Sequence, residues 1–354
     1  MQLLIKSRSQ GILSLEESEK KITIGYLKRT LSLLVDNYKE DDIRDILHTE
    51  MYYFKQRRIQ QERLVRHAAK LAPAFGVAGS VIGLISMLSG IGDANHLKEK
   101  GINVVHDLKG VGKNLQDHLE TYIQQECKTQ DTLYTYTKLI PKVLAGIQWF
   151  LSKSGPCSQS YLEAGGFAKS SPKREIANIQ FHFFPSFVID HGLVNPSSHG
   201  YQLHASPNHP KSRGSITLNS SDPYDHPKIL FNYLEHEDDL KQTRECIHVA
   251  RKILSQPSLA KHAGKEVGPG SDLKSDDDLN EYIRSKAETA YHPCGTLKMG
   301  VDKMAVVDEN LKIHGLQNIR VVDASVMPEI PSANLNAPTL MIAEKASDII
   351  SKEK

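Results

Sequence analysis

Cysteine is scarce in this sequence, and no two cysteines lie close together along the chain. The four cysteines in 354 residues are Cys127, Cys157, Cys246 and Cys294, and none belongs to a Cys-x-x-Cys pair. This spacing favours neither a structural zinc site nor a disulfide framework. We therefore expect a reducing compartment as the default and predict no metal site.

The sequence also lacks an excess of either charge. Its 44 Lys and Arg residues are balanced by 42 Asp and Glu residues, which leaves a formal net charge of +2. Such a balance creates no long-range field toward nucleic acid, so nucleic acid is not an expected partner. The composition, with 39% hydrophobic and 24% charged residues, is that of an ordinary soluble globular protein with room for two domains.

A third absence concerns nucleotide binding. The motif Gly-x-Gly-x-x-Gly, whose glycines let the backbone approach a dinucleotide pyrophosphate, does not occur. Gly76, Gly79 and Gly83 are spaced three and four apart, and Gly90 with Gly92 lacks the third glycine. The part of a nucleotide-binding site that holds adenosine and pyrophosphate is therefore not predicted.

One hydrophobic run is long enough to be tested as a membrane span. Residues 71–88 carry no charge, and their number is about the lower limit for crossing a bilayer. The run contains Pro73 and several glycines, which also suits a buried element beneath a nucleotide site. A buried element is the favoured interpretation, and a membrane anchor is the alternative.

Local patterns divide the chain into helical and β-rich parts. Residues 1–70 are rich in Lys, Arg, Gln and Glu and predict helices at 24–35 and 42–70. The middle of the chain alternates apolar and polar residues and predicts an antiparallel sheet with strands at 178–184, 201–205, 214–219 and 228–233. Two helices follow, over 238–254 and from Ser275, where Asp278 completes a capping-box pattern.

The last part of the chain returns to an α/β pattern. Residues 306–323 end in an apolar β-branched run closed by Asp323, as in a buried parallel strand with a polar group at its carboxyl end. A helix is predicted over 338–351, with Asn336 near its N-cap and Pro338 in its first turn. Its core-facing residues are predicted to be Leu340, Met341, Ala343 and Ala346.

Three groups of segments occur in a characteristic order along the chain. The first is Met87-Leu-Ser-Gly-Ile-Gly92, followed by Gly110-Val-Gly-Lys-Asn-Leu-Gln-Asp-His118. The second is Tyr161-Leu-Glu-Ala-Gly-Gly-Phe167 with Ile179-Gln-Phe-His-Phe183. The third is Tyr291-His-Pro-Cys-Gly-Thr296, Val321-Val-Asp-Ala-Ser325 and Asn334-Leu-Asn-Ala-Pro-Thr339. Together these segments resemble the glucose-methanol-choline family of flavoenzymes, and within that family they look most like the choline dehydrogenases.

The resemblance implies an α/β fold with an α+β substrate domain: an incomplete Rossmann-type FAD-binding domain plus an antiparallel sheet flanked by helices. The expected divisions are a divergent helical segment at 1–70, a partial FAD-binding domain at 71–125, a substrate-binding domain at 126–285 and a return to the FAD-binding domain at 286–354.

The same resemblance implies FAD as cofactor and a primary, choline-like alcohol as substrate, oxidised to an aldehyde as hydride passes to the flavin. The resemblance favours a mitochondrial or bacterial membrane-associated location, and with it peripheral association with a membrane. It does not specify the electron acceptor. Because the chain is short before its first matching segment and lacks the glycine motif, a truncated and inactive remnant, at most a binding module, is the alternative.

By the resemblance, His292 is the catalytic base and Asn336 is its partner on the substrate oxygen. Their alternatives are a loop histidine bonding a carbonyl and a plain N-cap. Asp323 and Ala324 are expected at the ribityl and phosphate part of FAD, and Ala337 and Thr339 as backbone donors to the flavin. Glu163 and Tyr161 are expected to bind a cationic head group, although Glu163 is equally a candidate for a solvated edge-strand residue. His118 and Gln116 are expected to order their loop.

Overall fold

A computed structural model describes residues 25–36, 38–39, 41–49, 83, 85–162, 164–189 and 193–353. The chain forms two compact units, Met1–Leu71 and Ala72–Lys354. In the first unit, helix α1 spans Gly25–Val35 and helix α2 spans residues 41–49. The two helices predicted for this region are confirmed over these ranges, and the predicted continuation of the second to residue 70 lies outside the described residues.

The second unit contains a small parallel α/β element and a larger antiparallel part. The parallel element consists of β1 (Ile91–Gly92), α3 (Ala94–Glu99) and β2 (His106–Asp107), and β1 pairs with β2 in parallel. In chain order there follow β3 (Lys113–Leu115), β4 (Leu119–Cys127), α4 (Leu139–Ser152), β5 (Ala164–Ala168), β6 (Ile179–Phe184), β7 (Gly200–Pro207), β8 (Gly214–Thr217), β9 (Lys228–Leu230), α5 (Glu237–Leu254), β10 (Ala263–Gly268), α6 (Asp276–Lys286), β11 (Glu288–Thr289) and α7 (Asn336–Lys352).

The antiparallel part consists of two sheets. The larger has the strand order β10-β4-β7-β6-β5, and β11 pairs with the start of β4. The smaller has the order β3-β8-β9. These strands confirm the predicted antiparallel sheet, although β8 and β9 end earlier than predicted. Helices flank the larger sheet, because Ile247 and Ala250 of α5 are buried in one core with Ile123 and Leu203 of the sheet.

Helix α6 illustrates how a local signal fixes an element boundary. The hydroxyl of Ser275 accepts a hydrogen bond from the backbone N–H of Asp278 at 3.1 Å and donates to the Asp278 carboxylate at 2.6 Å. These bonds satisfy one of the free N–H groups at the helix start, as the capping-box pattern predicts. The predicted start of this helix is therefore confirmed.

A second core joins the parallel element to the C-terminal part of the chain. Met87 and Leu97 pack in one cluster with Val306, Val321 and Ala346. The predicted strand ending at Asp323 is wrong, because among the described residues 306–323 form only isolated bridges such as Lys312 with Arg320. Each described neighbour pairs at a single position, as Met299 and Ile313 do with Val307, so no ladder forms. Val306, Val307 and Val321 are nevertheless buried, as the apolar pattern predicts.

The predicted inward face of α7 is only partly correct. Ala346 is buried, but Leu340, Met341 and Ala343 are exposed, and Ile342 takes the inward position beside Ala346. Leu340 and Met341 point away because a helix advances about 100° per residue, and the face that meets the core runs through 342 and 346.

No helix in the described part of the chain is long and apolar enough to cross a membrane. Of the uncharged run that was considered as a span, residues 71–82 and 84 lie outside the described residues.

Candidate active site

His292 lies in the loop that leaves β11, and a buried carboxylate fixes this loop. The backbone N–H of His292 donates a hydrogen bond to Asp117 Oδ1 at 2.8 Å. The other oxygen of Asp117 accepts from the hydroxyl of Tyr233 at 2.5 Å and from that of Thr289. Burial raises the pKa of Asp117, while these hydrogen bonds act to lower it. Asp117 therefore serves as an acceptor that ties the loop to the sheet.

The glycine of the His-Pro-Cys-Gly-Thr segment allows the loop to pass close to β3. Gly295 has φ of +88°, and a Cβ at this position would lie 2.6 Å from the carbonyl oxygen of Asn114. Both the backbone conformation and the close approach exclude a larger residue. The neighbouring Cys294 and Gln116 exchange two backbone hydrogen bonds, which hold the loop in register with the turn before β4.

A row of polar side chains extends from the sheet through His292. His118 Nε2 lies 3.0 Å from the backbone oxygen of Asn208, and His118 Nδ1 lies 3.0 Å from His292 Nδ1. His292 Nε2 lies 3.0 Å from the side-chain nitrogen of Asn334. The Asn334 oxygen accepts from Gln180 Nε2 of β6 at 2.8 Å. The His292 imidazole is therefore connected to His118 through Nδ1, and to Asn334 and Gln180 through Nε2.

Both histidines are held in their neutral form. Burial lowers the pKa of His292 to about 3, and the neighbouring rings of His118 and His182 act in the same direction. Burial likewise lowers the pKa of His118 to about 4. At neutral pH one nitrogen of the His292 ring thus carries no hydrogen, as in any imidazole that is to accept a proton as a general base.

Asn336 is the first residue of α7 and does not contact His292. Its side chain is exposed and forms no hydrogen bond with another described residue, whereas Asn334, two residues earlier, contacts the ring directly. The N-cap position is taken by Leu335, so Asn336 is not the cap either. The sequence contains both asparagines in the matching segment, but nothing in it distinguishes which one meets the imidazole.

The backbone N–H of Thr339, expected as a donor to a flavin, is used within α7 in this structure. The Thr339 N–H donates to the carbonyl oxygen of Leu335 at 2.9 Å, and its hydroxyl donates to the same oxygen at 2.7 Å. Because the helix begins at Asn336, Thr339 is already the residue that closes the first helical hydrogen bond. Ala337 lies within the first turn, where a backbone N–H has no partner inside the helix.

Asp323 and Ala324 are buried beside this region. Asp323 Oδ1 accepts from the Ser325 N–H at 2.7 Å and so starts the short 3-10 helix over Ala324–Val326. Asp323 Oδ2 and the Ser325 hydroxyl are buried without a partner among the described residues. Such orphaned polar atoms in a native site call for a ligand or solvent partner.

Of the two predicted substrate residues, the structure describes Tyr161. Glu163 lies outside the described residues. Tyr161 has φ of +62°, and its hydroxyl donates to the carbonyl oxygen of Pro156. Tyr161 lines a cavity of about 450 Å³ together with Tyr136 and Phe183. No described hydrogen bond joins Tyr161 to His292. The sequence had not identified Asn334, Asp117 or Gln180 as members of the site.

Comparison with known proteins places this geometry in a family. A family model described as GMC oxidoreductase matches residues 210–343. The oxygen-dependent choline dehydrogenase of Cronobacter sakazakii is 47% identical over 262 residues, which are 74% of this chain and 47% of that protein. The protein of the same name from Brucella ovis is 46% identical over 266 residues, 75% of this chain and 48% of that protein. The chain thus spans about half the length of the curated relatives that it matches.

Solved structures agree with these sequence matches. Pyridoxine 4-oxidase from Mesorbium loti is 27% identical with a TM-score of 0.63, and the match covers 74% of this chain and 48% of that one. A variant of formate oxidase from Aspergillus oryzae RIB40 is 25% identical with a TM-score of 0.72, covering 77% and 52%.

A second family model, described as the MotA/TolQ/ExbB proton channel family, matches residues 18–104. Much of that range lies outside the described residues, and its last part contributes Ile91 and Leu97 to the core shared with Val306. The resemblance in the site segments, the relatives and the solved structures instead agree on one family. The chain therefore belongs to the glucose-methanol-choline (GMC) family of FAD-dependent oxidoreductases.

Proposed function

We propose that this chain carries the alcohol-oxidising site of an FAD-dependent oxidoreductase that acts on a choline-like primary alcohol. The observation that carries the proposal is the neutral imidazole of His292, whose Nε2 meets an asparagine amide while its Nδ1 is bonded on the sheet side. The names of the relatives support choline as the alcohol.

Alcohol oxidation removes a proton from the hydroxyl and a hydride from the adjacent carbon. FAD, when bound, supplies the hydride acceptor. His292 Nε2 accepts the hydroxyl proton, because a neutral imidazole is a base and its other nitrogen, Nδ1, is bonded to His118. An asparagine amide donates to the substrate oxygen. Asn336 remains our proposed residue for this role, and Asn334 joins it because its Nδ2 already lies 3.0 Å from His292 Nε2.

The residues around α7 fit the flavin part of FAD. The helix starts at Asn336 without a side-chain cap, so the N–H groups of Asn336 and Ala337 have no partner within the helix. These donors and the positive end of the helix dipole suit an anion. The unpartnered Asp323 carboxylate oxygen suits a hydrogen bond from a ribityl hydroxyl, and the Ser325 hydroxyl suits donation to a phosphate oxygen. Asp323, Ala324 and Ala337 are therefore the residues proposed to hold the cofactor.

A reduction experiment tests the proposed function. We expect purified protein supplied with FAD to show flavin absorbance near about 450 nm that bleaches on adding choline without oxygen. His292→Gln should lower the bleaching rate by at least about 100-fold, the usual contribution of a general base. His106→Gln, which removes a ring bonded to the His314 carbonyl outside this row, is the matched control.

Two outcomes would reject parts of the proposal. Protein that takes up no FAD would favour the alternative of an inactive remnant that acts as a binding module. Full activity in His292→Gln would reject this residue as the base, whichever alcohol is used. Glu163 stays the proposed partner of a cationic head group.

We also propose that the protein associates peripherally with a membrane through α4. Apolar side chains of this helix are exposed, including Leu139 at 77%, Phe150 at 72% and Leu151 at 77%, and only Ala145 is buried. Lys138, Lys142 and Lys153 flank the apolar residues, and no Asp or Glu occurs between Asp131 and Glu163. An apolar helix edged by lysines and carrying Trp149 suits the interface of an anionic bilayer.

A further inference from the structure

The contact between His118 and His292 joins two nitrogens of the same kind, so one must donate and the other must accept. The two Nδ1 atoms are 3.0 Å apart, and the rings are nearly perpendicular with centroids 5.2 Å apart. The rings therefore meet through their nitrogen edges and do not stack. The partners on either side decide the direction of this hydrogen bond.

On the sheet side, the acceptor is a backbone carbonyl. His118 Nε2 lies 3.0 Å from the oxygen of Asn208, and a carbonyl oxygen can only accept. Nε2 of His118 therefore carries a hydrogen. A neutral imidazole carries only one, so Nδ1 of His118 has a lone pair and accepts from His292 Nδ1. His118 would have to be doubly protonated to donate instead, which burial opposes by lowering its pKa to about 4.

The other end of the row leads to the same assignment independently. Gln180 Nε2 donates to the Asn334 side-chain oxygen at 2.8 Å, so the Asn334 amide nitrogen faces His292 Nε2 at 3.0 Å. An amide N–H donates, which requires a lone pair on His292 Nε2. Both directions of reasoning place the hydrogen of His292 on Nδ1.

We propose that His118 is a positioning residue that holds neutral His292 in the tautomer with its hydrogen on Nδ1 and its lone pair on Nε2. The role of His118 in catalysis rests on the proposed function, in which Nε2 of His292 receives the alcohol proton. In hydrolytic triads a carboxylate performs the same task for the catalytic histidine. A neutral histidine fixes the tautomer without the negative charge that would raise the pKa of the base.

The tautomer can be observed directly, without turnover. Protein labelled with nitrogen-15 histidine is examined near neutral pH by long-range proton–nitrogen correlation, and the His292 signals are assigned by their loss in His292→Gln. We expect a protonated Nδ1 and an unprotonated Nε2 in the unaltered chain. This measurement alone decides the tautomer, even if a variant of His118 fails to fold.

Variants of His118 test whether that residue is the cause. Because the Asn334 amide also favours the tautomer with hydrogen on Nδ1, these variants are made in the Asn334→Ala background. There His118→Phe removes the acceptor, and we expect the His292 pattern to shift toward the Nε2-protonated form. His118→Gln restores an acceptor oxygen, and we expect a return toward the original pattern. His106→Gln should leave the pattern unchanged, since its ring bonds the His314 carbonyl away from this row.

The results separate this inference from the proposed function. A protonated Nε2 in the unaltered chain, or an unchanged pattern when His118→Phe is added to Asn334→Ala, overturns the role of His118. The expected patterns in a protein that choline does not reduce would leave the tautomer assignment standing and reject the proposed function alone.

Discussion

The two histidines of the site should couple folding to pH. In the unfolded chain each ring takes up a proton near its ordinary pKa of 6.5, whereas burial lowers the folded values to about 4 for His118 and about 3 for His292. The free energy of unfolding that depends on these two rings is therefore at its full value above pH 6.5. It is lost as the pH falls toward the pKa values of the folded state. Each ring contributes a slope of about 1.4 kcal/mol per pH unit in this window.

Urea unfolding at several pH values between about 7 and 5 measures this slope. His292→Gln removes one titrating ring, so we expect the fall in the free energy of unfolding with acid to become shallower by about 1.4 kcal/mol per pH unit. Asn334→Ala removes a hydrogen-bond partner of the same ring without removing a titrating group, and it should keep most of the slope. An identical slope in His292→Gln would contradict the buried neutral state of this ring.

Sequence could identify the base but not its surroundings. The His-Pro-Cys-Gly-Thr segment is local, and its resemblance to the family pointed to His292 directly. The contact between Asn334 and His292, by contrast, depends on Gln180, which orients the amide from a strand far away in the chain. Asn336 was assigned from the resemblance and Thr339 from its place near the predicted helix start, yet their surroundings depend on the residue at which α7 begins.

At the level of elements, strongly local signals were the reliable ones. The Ser275 cap and the alternating pattern at Ile179–Phe184 both correspond to observed boundaries within a residue or two. The wrong prediction, a strand ending at Asp323, came from an apolar run in which Val306, Val307 and Val321 are buried in loops instead. A hydrophobic run reports burial, while a strand also requires a neighbour to pair with.

Helix α4 provides a test of membrane association with an intrinsic probe. Trp149 is the sole tryptophan of the chain and lies on this helix. We expect its emission to shift to shorter wavelength with phosphatidylglycerol vesicles and much less with phosphatidylcholine vesicles, because Lys138, Lys142 and Lys153 attract the anionic surface. Added salt should weaken the shift.

Substitutions on and off the helix show whether its apolar face is responsible. Leu151→Ser should reduce the vesicle-induced shift, whereas Val301→Ser, at an equally apolar position that is 96% exposed elsewhere, should not. A shift that depends on protein concentration and not on vesicles would indicate that a second copy of the chain covers α4, and it would reject the membrane proposal.

For the whole molecule, the antiparallel sheet with its flanking helices followed from alternation and turn signals, and the family followed from motifs in order along the chain. The division of Ala72–Lys354 into three parts remains a prediction. Its two main cores, one joining Leu97 to Val306 and one joining Ile123 to Ile247, bring together residues more than a hundred positions apart. Such pairings depend on tertiary packing, which a single sequence does not encode as a local pattern.

The distribution of the cores predicts which part of the chain folds independently. Every residue of the three described hydrophobic clusters lies at Met87 or later, inside the unit Ala72–Lys354. A protein comprising residues 72–354 should therefore unfold cooperatively, with a midpoint close to that of the full chain, in thermal melts followed by circular dichroism. If residues 1–71 supplied essential packing, the shortened protein would lose its cooperative transition, and that result would contradict the two-unit organisation. His292→Gln in the shortened protein should then give the same shallower pH slope as in the full chain, because both histidines and their partners belong to this unit.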